Sequence, residues 1–172
     1  PKGSHGLKEI PLNIFLQQVI KPLLEENNNE LFTKHFDFDF ENTKSYIEDF
    51  AGKINEDKTE GGRIDIVIKD NKKAFLIENK IYADEQTNQL IRYKKFYPNA
   101  PIIFLTLFGS DAKTATDLEI NKDYFIISYE EHVLKWLEEC LKEAVKYPML
   151  REVIRQYINL VKKLTHQTTN QE

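Results

Sequence analysis

Two stretches of the sequence, separated by a polar turn, decide the fold: Gly62-Arg63-Ile64-Asp65-Ile66-Val67-Ile68 and Ala74-Phe75-Leu76-Ile77-Glu78-Asn79-Lys80-Ile81-Tyr82. Both are rich in β-branched and aromatic residues, as β-strands are. The intervening Asp70-Asn71-Lys72-Lys73 is typical of a tight turn with Asn71 and Lys72 at its tip. The stretches therefore predict an antiparallel β-hairpin over residues 63–69 and 74–82.

A two-residue tip also fixes the register of the hairpin, because the numbers of facing residues then have a constant sum. Asp65 is expected directly opposite Glu78, with the two Cβ atoms roughly 5 Å apart. Successive side chains of a strand point to opposite faces of the sheet. The expected core face carries Ile64, Ile66, Ile68, Phe75 and Ile77, and the other face carries Asp65, Val67, Leu76, Glu78 and Lys80.

The second face places two carboxylates together beside apolar residues. Like charges opposite one another are destabilising, and partial burial increases that cost. A divalent cation such as Mg²⁺, which binds carboxylate oxygens, waters and substrate phosphates, would relieve the repulsion between Asp65 and Glu78. Lys80 is expected to point into the same site. The pattern therefore favours a catalytic metal site, provided that the register does not slip by one residue.

The same residues also allow a simpler interpretation. Charged residues make up 30% of the chain, so an Asp followed by Glu-x-Lys arises often by chance. Glu78 and Lys80 could then form an ordinary salt bridge on a solvated edge strand. The apolar neighbours Val67 and Leu76 favour the catalytic interpretation, because a solvated face seldom carries them.

The rest of the chain predicts helices and strands on both sides of the hairpin. Helices are expected at residues 11–31, with a kink or break at Pro22, at 85–97, from 128 or 129 to 144, and from Pro148 onward; strands are expected at 36–40, 102–107 and 124–128, with 46–50 as an alternative pairing segment. This order predicts an α/β fold with a mixed sheet. One domain is expected over residues 1–172, with an N-terminal helical part (1–35), a sheet core (36–129) and C-terminal helices (130–166).

Composition excludes few classes of protein. The net charge of −4 argues against a protein that coats nucleic acid through overall charge. It does not exclude an enzyme that binds nucleic acid through a local cleft and a cation. No apolar stretch approaches the ~20 residues of a membrane-spanning helix. The single Cys140 cannot form an internal disulfide, so a cytoplasmic location is expected.

The hairpin and the segment that follows it resemble the PD-(D/E)XK nuclease superfamily. Asp65 lies on one strand, Glu78-Asn79-Lys80 on the next, and Gln89-Leu90-Ile91-Arg92-Tyr93 matches the Q-x-x-x-Y pattern of the following helix. The resemblance extends to most of the chain and is strongest for uncharacterised bacterial members. It implies a restriction-endonuclease-like fold, a mixed central β-sheet flanked by helices.

The resemblance also implies a mechanism. Asp65, Glu78 and the backbone carbonyl of Asn79 would bind Mg²⁺ or Mn²⁺, and the cation would activate a water for attack on a phosphate. Lys80 would orient that water or stabilise the developing charge. Asp65, Glu78 and Lys80 are thus the expected catalytic residues.

A second set of residues is expected to act on the substrate. Gln89 and Tyr93, one helical turn apart, would brace the site or contact the substrate backbone, and Gln86 belongs to the same set. For Arg92 the sequence leaves two alternatives, a phosphate contact and a solvated helix charge, of which the second is the commoner. For Arg63 a phosphate contact and a structural ion pair are equally compatible with the sequence.

The first residues also match the resemblance. Pro1-Lys2-Gly3-Ser4-His5-Gly6, ahead of Phe15-Leu16, resembles a stretch of these bacterial members, which favours native sequence over the remnant of an expression tag. On that basis, a preceding helix that often supplies a further acidic residue in the superfamily is expected to be missing.

The leading functional hypothesis is an Mg²⁺-dependent nuclease, with DNA favoured over RNA as the substrate. The alternatives are a nucleic-acid-binding module that has lost catalysis and a protein-interaction domain with ordinary salt bridges. A homodimer is a further option, because the apolar stripe around Tyr157 fits either the core or a dimer interface.

Overall fold

A five-stranded sheet organises the part of the chain that the computed structural model describes, residues 6–27, 39 and 42–167. The strands are β1 (Lys44–Phe50), β2 (Arg63–Lys69), β3 (Ala74–Lys80), β4 (Ile102–Thr106) and β5 (Tyr124–Ser128). The helices are α1 (Ile10–Phe15), α2 (Lys21–Glu26), α3 (Gln89–Phe96), α4 (Leu134–Glu143) and α5 (Pro148–Leu164).

The sheet is mixed, with its strands in the order β1-β2-β3-β4-β5. The first three strands pair antiparallel, whereas β3, β4 and β5 pair parallel. A parallel pair needs a crossover connection, and α3 lies in the connection from β3 to β4. The predicted α/β fold, a restriction-endonuclease-like mixed sheet flanked by helices, is confirmed.

The predicted hairpin register is also confirmed. Ile66 pairs with Ile77 and Ile68 pairs with Phe75. At the turn, Asp70 Oδ1 accepts the backbone N–H groups of Lys72 and Lys73, both at 2.7 Å. This local bonding is typical of Asp in turns, and it keeps the tip at two residues.

Each face of the sheet is covered by its own hydrophobic cluster. Helices α1, α2, α4 and α5 cover the face that carries Ile66, Ile68, Phe75 and Ile77, as predicted for these four residues. On this side Trp136 Nε1 donates to the Pro11 carbonyl at 2.7 Å, which ties α4 to α1. Helix α3 and residues 112–118 of the loop after β4 cover the other face.

The prediction for Ile64 was wrong. Its side chain is fully buried in the α3 cluster with Val67 and Leu76, on the opposite side from Ile66. Between β1 and β2 the expected Glu48–Asp65 pair is missing, although Ile47–Ile66 and Asp49–Ile64 are paired on either side. Glu48 has a left-handed φ of 54°, which no extended strand residue adopts. This irregularity breaks the alternation of side chains at Asp65.

Helix α3 begins at Gln89, four residues after the predicted start. Asn88, at φ 54°, is left-handed and therefore cannot lie within a helix. Glu85 is held elsewhere, because its carboxylate accepts the backbone N–H groups of Lys113 and Thr114 at 2.8 and 2.9 Å. The prediction of helix over residues 85–88 was wrong for this reason. Strand β3 likewise ends at Lys80, two residues earlier than expected.

The predicted distortion at Pro22 takes the form of a π-helical turn, Leu16–Ile20, between α1 and α2. Proline lacks an N–H and its ring clashes with the preceding turn, and such insertions are a recognised response. A second π turn, Tyr129–Val133, opens the helical region predicted for residues 128 to 144. The predicted 36–40 strand falls outside the described residues except for Asp39, and residues 1–5 of the N-terminal stretch do as well.

The final helix divides its apolar residues between two sides. Ile154, Ile158 and Val161 are buried in the core, whereas Val153 and Tyr157 remain partly or largely exposed. Among the described residues, no helix is both long and apolar enough to cross a bilayer.

Candidate active site

The open end of the β2–β3 hairpin brings Asp65 next to the segment Glu78-Asn79-Lys80. Regular pairing ends at Ile66 and Ile77. Beyond that pair, the backbone N–H of Asn79 donates to Asp65 Oδ2 at 2.8 Å. The Asp65 carboxylate thus accepts the bond that a backbone carbonyl of β2 would accept in a regular ladder. This bond places the carboxylate beside β3.

Glu78 is the most deeply buried acid of this site, with 1% of its surface exposed. Its Oε1 accepts from Lys80 Nζ at 2.8 Å and from Gln89 Nε2 at 2.7 Å. Its Oε2 is buried and has no hydrogen-bond partner among the described residues. Burial raises the pKa of Glu78 to about 7; the Lys80 ammonium opposes this shift and the Asp65 charge adds to it. One carboxylate oxygen is therefore available for a ligand in a site that penalises negative charge.

The ammonium of Lys80 lies on the same side of β3 as Glu78. The bond between them at 2.8 Å joins two largely buried side chains. The structure therefore excludes the solvated salt bridge of the simpler interpretation, because a pair on an open edge strand would be exposed. Parallel pairing of Lys80 with Thr106 on β4 shows that β3 is an inner strand of the sheet.

Gln89 and Tyr93 support Glu78 from α3. Gln89 Nε2 donates both to Glu78 and to the Tyr93 hydroxyl, the latter at 2.9 Å. The Tyr93 hydroxyl in turn donates to the backbone carbonyl of Arg63 on β2. Both side chains are buried, and burial raises the pKa of Tyr93 above its usual value. The contacts favour bracing over substrate contact, the two alternatives that the sequence left open.

A cavity of about 410 Å³ opens onto these groups. Asp65, Glu78 and Lys80 line it together with the predicted residues Arg63, Gln86 and Gln89, and the β1–β2 connection adds Phe50, Gly52, Lys53, Ile54 and Gly62. The β1–β2 contribution was not predicted. Its one visible signal in the sequence was Gly61-Gly62, which indicates only a turn.

Comparison with protein families yields a model described as the PD-(D/E)XK nuclease superfamily, matched over residues 1–159 of the 172. The match includes the hairpin, α3 and the whole sheet. The chain belongs to the PD-(D/E)XK nuclease superfamily. No curated protein matches it, and no solved structure does either.

Arg92, a candidate phosphate contact from the sequence, is instead placed where it supports the protein itself. Its side chain is 1% exposed. Nε donates to the Gly61 carbonyl at 2.8 Å, Nη2 to Gln86 Oε1 at 2.9 Å, and Nη1 to the Thr87 carbonyl. Burial lowers the pKa of Arg92. In this arrangement Arg92 clamps the β1–β2 connection to α3 and does not line the cavity, whereas Gln86 lines it with its Oε1 bonded to Arg92.

Arg63 forms an ion pair with Glu48, with Nη1 and Oε2 3.2 Å apart. Both side chains are largely exposed, so the pair contributes little to stability. Of the two alternatives for Arg63, the structural pair is the one present, and its position in the cavity lining keeps it within reach of a ligand.

The superfamily implies a divalent cation, and the polar groups at the hairpin end fit one. The buried, unpartnered Oε2 of Glu78 and the nearby Asp65 carboxylate are hard oxygen donors of the kind that Mg²⁺ and Mn²⁺ take. No cluster of three His, Cys, Asp or Glu residues is found in the described part of the chain. Mg²⁺ can be held by one or two carboxylates and completes its shell with water and substrate phosphate.

Proposed function

We propose that the protein hydrolyses phosphodiester bonds of nucleic acid with the help of Mg²⁺ or Mn²⁺, with DNA favoured as the substrate. The observation that supports the proposal is the unequal environment of the two Glu78 oxygens. Oε1 is bonded to Lys80 and Gln89, whereas Oε2 is buried without a partner. Leaving a buried anionic oxygen unpaired is costly, and a divalent cation removes that cost.

Asp65 and Glu78 would hold the cation, with the backbone carbonyl of Asn79 as the expected third protein ligand. When bound, the cation supplies a Lewis acid for the phosphate and lowers the pKa of an attacking water. The N–H of Asn79 already bonds to Asp65, so the strand end is fixed in place before any ligand enters.

Lys80 supplies the positive charge of the site. Its ammonium, which bonds to Glu78, can also donate to a water or to a phosphate oxygen, because it has three N–H donors. In the proposed reaction Lys80 orients the attacking water or stabilises charge on the phosphate. Gln89 and Tyr93 are positioning residues, since Gln89 donates to Glu78 and to the Tyr93 hydroxyl, which in turn donates to the Arg63 carbonyl.

The proposal is tested by cleavage assays on DNA and RNA with Mg²⁺ or Mn²⁺, together with calorimetric titration of each cation. Asp65→Asn and Lys80→Ala are expected to lower kcat by at least ~10²-fold, the scale of a lost charge-stabilising group. The matched controls are Asp117→Asn and Lys122→Ala, both at exposed positions, and these are expected to cleave as the unmodified chain does. Circular dichroism must show that all four variants are folded.

Two outcomes would contradict the proposal. Cation binding without cleavage of any nucleic acid would favour a binding module that has lost catalysis. Absence of cation binding near neutral pH would favour a protein-interaction domain. A cytoplasmic location belongs to the same proposal, and it rests on Cys140, a free and buried thiol.

A further inference from the structure

A second cavity adjoins the one described above, and Lys80 lines both. The second cavity has a volume of about 610 Å³ and lies between the segment after β3 and the loop after β4. Its lining includes Tyr82, Phe104, Phe108 and Lys113. Lys80 therefore stands at the middle of an extended depression rather than at the end of a closed pocket.

Large apolar side chains are exposed on both sides of Lys80. Phe50, in the first cavity, is 62% exposed, and Tyr82, in the second, is 78% exposed. Ile54 and Phe108 are also exposed at the same two places. Apolar groups of this size that flank a polar site indicate a surface that binds another molecule.

The depression carries both basic and acidic side chains, so charge alone gives it little affinity for the many phosphates of a duplex. Lys53 and Arg63 line the first cavity and Lys113 the second, with Lys80 between them. The second cavity also carries three acids, Asp84, Glu85 and Asp111, of which Glu85 is bonded to backbone N–H groups. The net charge of the chain is −4. Duplex binding depends chiefly on contacts to many phosphates, whereas single strands gain much of their affinity from base stacking on aromatic side chains.

The burial of the reactive groups also favours a single strand over a duplex. Glu78 is almost wholly buried and the Lys80 side chain largely so, whereas Phe50 and Tyr82 stand at the surface on either side. A phosphate must approach the buried groups while its neighbouring bases remain near the rim. A single strand can bend in this way, because its bases are free to turn toward the aromatic side chains.

We infer that the substrate is single-stranded nucleic acid, with the reacting phosphate at Asp65, Glu78 and Lys80 and flanking bases stacked on Phe50 and Tyr82. This inference rests on the proposed phosphodiesterase function. It adds a strand preference and two side chains that recognise the substrate through the faces of its bases.

The test compares single-stranded and duplex oligonucleotides of equal length and sequence, in cleavage assays with Mg²⁺ and in fluorescence-anisotropy binding. The single strand is expected to be bound and cut at least 10-fold better than the duplex. Phe50→Ala and Tyr82→Ala should each weaken single-strand binding by at least about 5-fold, which corresponds to the lower end of ~1–3 kcal/mol per stacked base. Phe50→Tyr and Tyr82→Phe keep a ring and should retain affinity.

Ile47→Ala is the matched control, because Ile47 lies on β1 with Phe50, is 79% exposed and does not line either cavity. Equal or better cleavage of the duplex, or alanine variants that bind as the unmodified chain does, would overturn the inference and leave the proposed function intact. Failure to cut any nucleic acid would overturn both. A comparison of DNA with RNA single strands assigns the sugar, and either result supports the inference.

Discussion

The two oxygens of Glu78 show how a single residue can be both fixed and available. Oε1 is held by one donor from its own strand and one from α3, and Oε2 is left for a ligand. A carboxylate with two free oxygens would be free to rotate, whereas the two bonds to Oε1 fix this one and leave Oε2 facing no competing donor among the described residues. The position of Glu78 therefore depends on Lys80 and Gln89 as much as on β3.

Gln89→Ala provides a prediction at this scale. The substitution removes the donor to Glu78 and the donor to Tyr93, so Glu78 loses part of its fixation. We expect kcat to fall by about 10- to 100-fold, the usual cost of losing a residue that supports a metal ligand, while KM for the nucleic acid changes little. Steady-state kinetics with Mg²⁺ measure both quantities.

Gln17→Ala is the control for that experiment, since Gln17 is exposed on the far side of the sheet. A rise in KM with kcat unchanged would show that Gln89 contacts the substrate and would contradict the bracing role. Gln89→Glu gives an independent check, because it keeps the shape but places a third carboxylate at the site. We expect it to be at least as damaging as alanine.

At the scale of elements, the β1–β2 connection is anchored at its glycine pair, Gly61-Gly62. Gly61 has a φ of 81°, and a Cβ built on it would lie 2.1 Å from the Lys53 carbonyl oxygen. The Gly61 carbonyl accepts from Arg92. The connection that carries Lys53 and Ile54 into the cavity therefore depends on a backbone conformation and a close contact that only glycine permits.

Gly61→Ala is expected to lower the free energy of unfolding by more than about 2 kcal/mol, because the new methyl group overlaps backbone that cannot move independently. Gly109→Ala is the matched control: Gly109 also has a positive φ, 76°, but a Cβ there would meet only side chains at 3.8 Å. It should cost about 1 kcal/mol, the conformational part alone. Urea unfolding of both variants measures the difference, and equal losses would refute the steric explanation.

Local chemistry explains which elements could be predicted. The hairpin register follows from Asp70 and a two-residue tip, so the meeting of Asp65 with the Glu78 segment was readable from the sequence. The start of α3 was not, because Glu85 bonds to residues 28 and 29 positions away along the chain. The left-handed Glu48 was hidden for the same reason: no property of an isolated glutamate predicts a positive φ, and tertiary contacts select it.

The roles of the α3 residues show the same limit. The family resemblance placed Gln89 and Tyr93 near the site, with Arg92 on the same helix as a candidate phosphate contact, and the structure brings all three to its edge. The sequence could not distinguish a side chain that faces the cavity from one that faces the protein interior. That distinction depends on where Gly61 and the β1–β2 connection lie.

At the scale of the whole molecule, a cation that relieves the repulsion between Asp65 and Glu78 should stabilise the folded state. A ligand that binds the folded state alone stabilises it by ~2.7 kcal/mol at a concentration 100 times its Kd. For a chain of this size each kcal/mol corresponds to about 2–4 °C in Tm. Saturating Mg²⁺ should therefore raise the Tm by several degrees, as measured by differential scanning calorimetry.

Asp65→Asn should abolish that rise while retaining an acceptor for the Asn79 N–H, so its Tm without Mg²⁺ should stay close to that of the unmodified chain or exceed it. Asp117→Asn, remote from the site, should keep the full rise. An Mg²⁺-dependent shift of equal size in all three proteins would indicate non-specific cation binding and would count against the site.

The irregularity at Glu48 also affects how copies of the chain behave at high concentration. Among the described residues, β1 has no strand on its outer side, and an open edge is a template for aggregation. The left-handed Glu48 turns backbone groups out of line after residue 47. A foreign strand can therefore pair regularly with β1 only over residues 44–47. The same residue that breaks the alternation at Asp65 thus shortens the surface on which fibril-like stacking could begin.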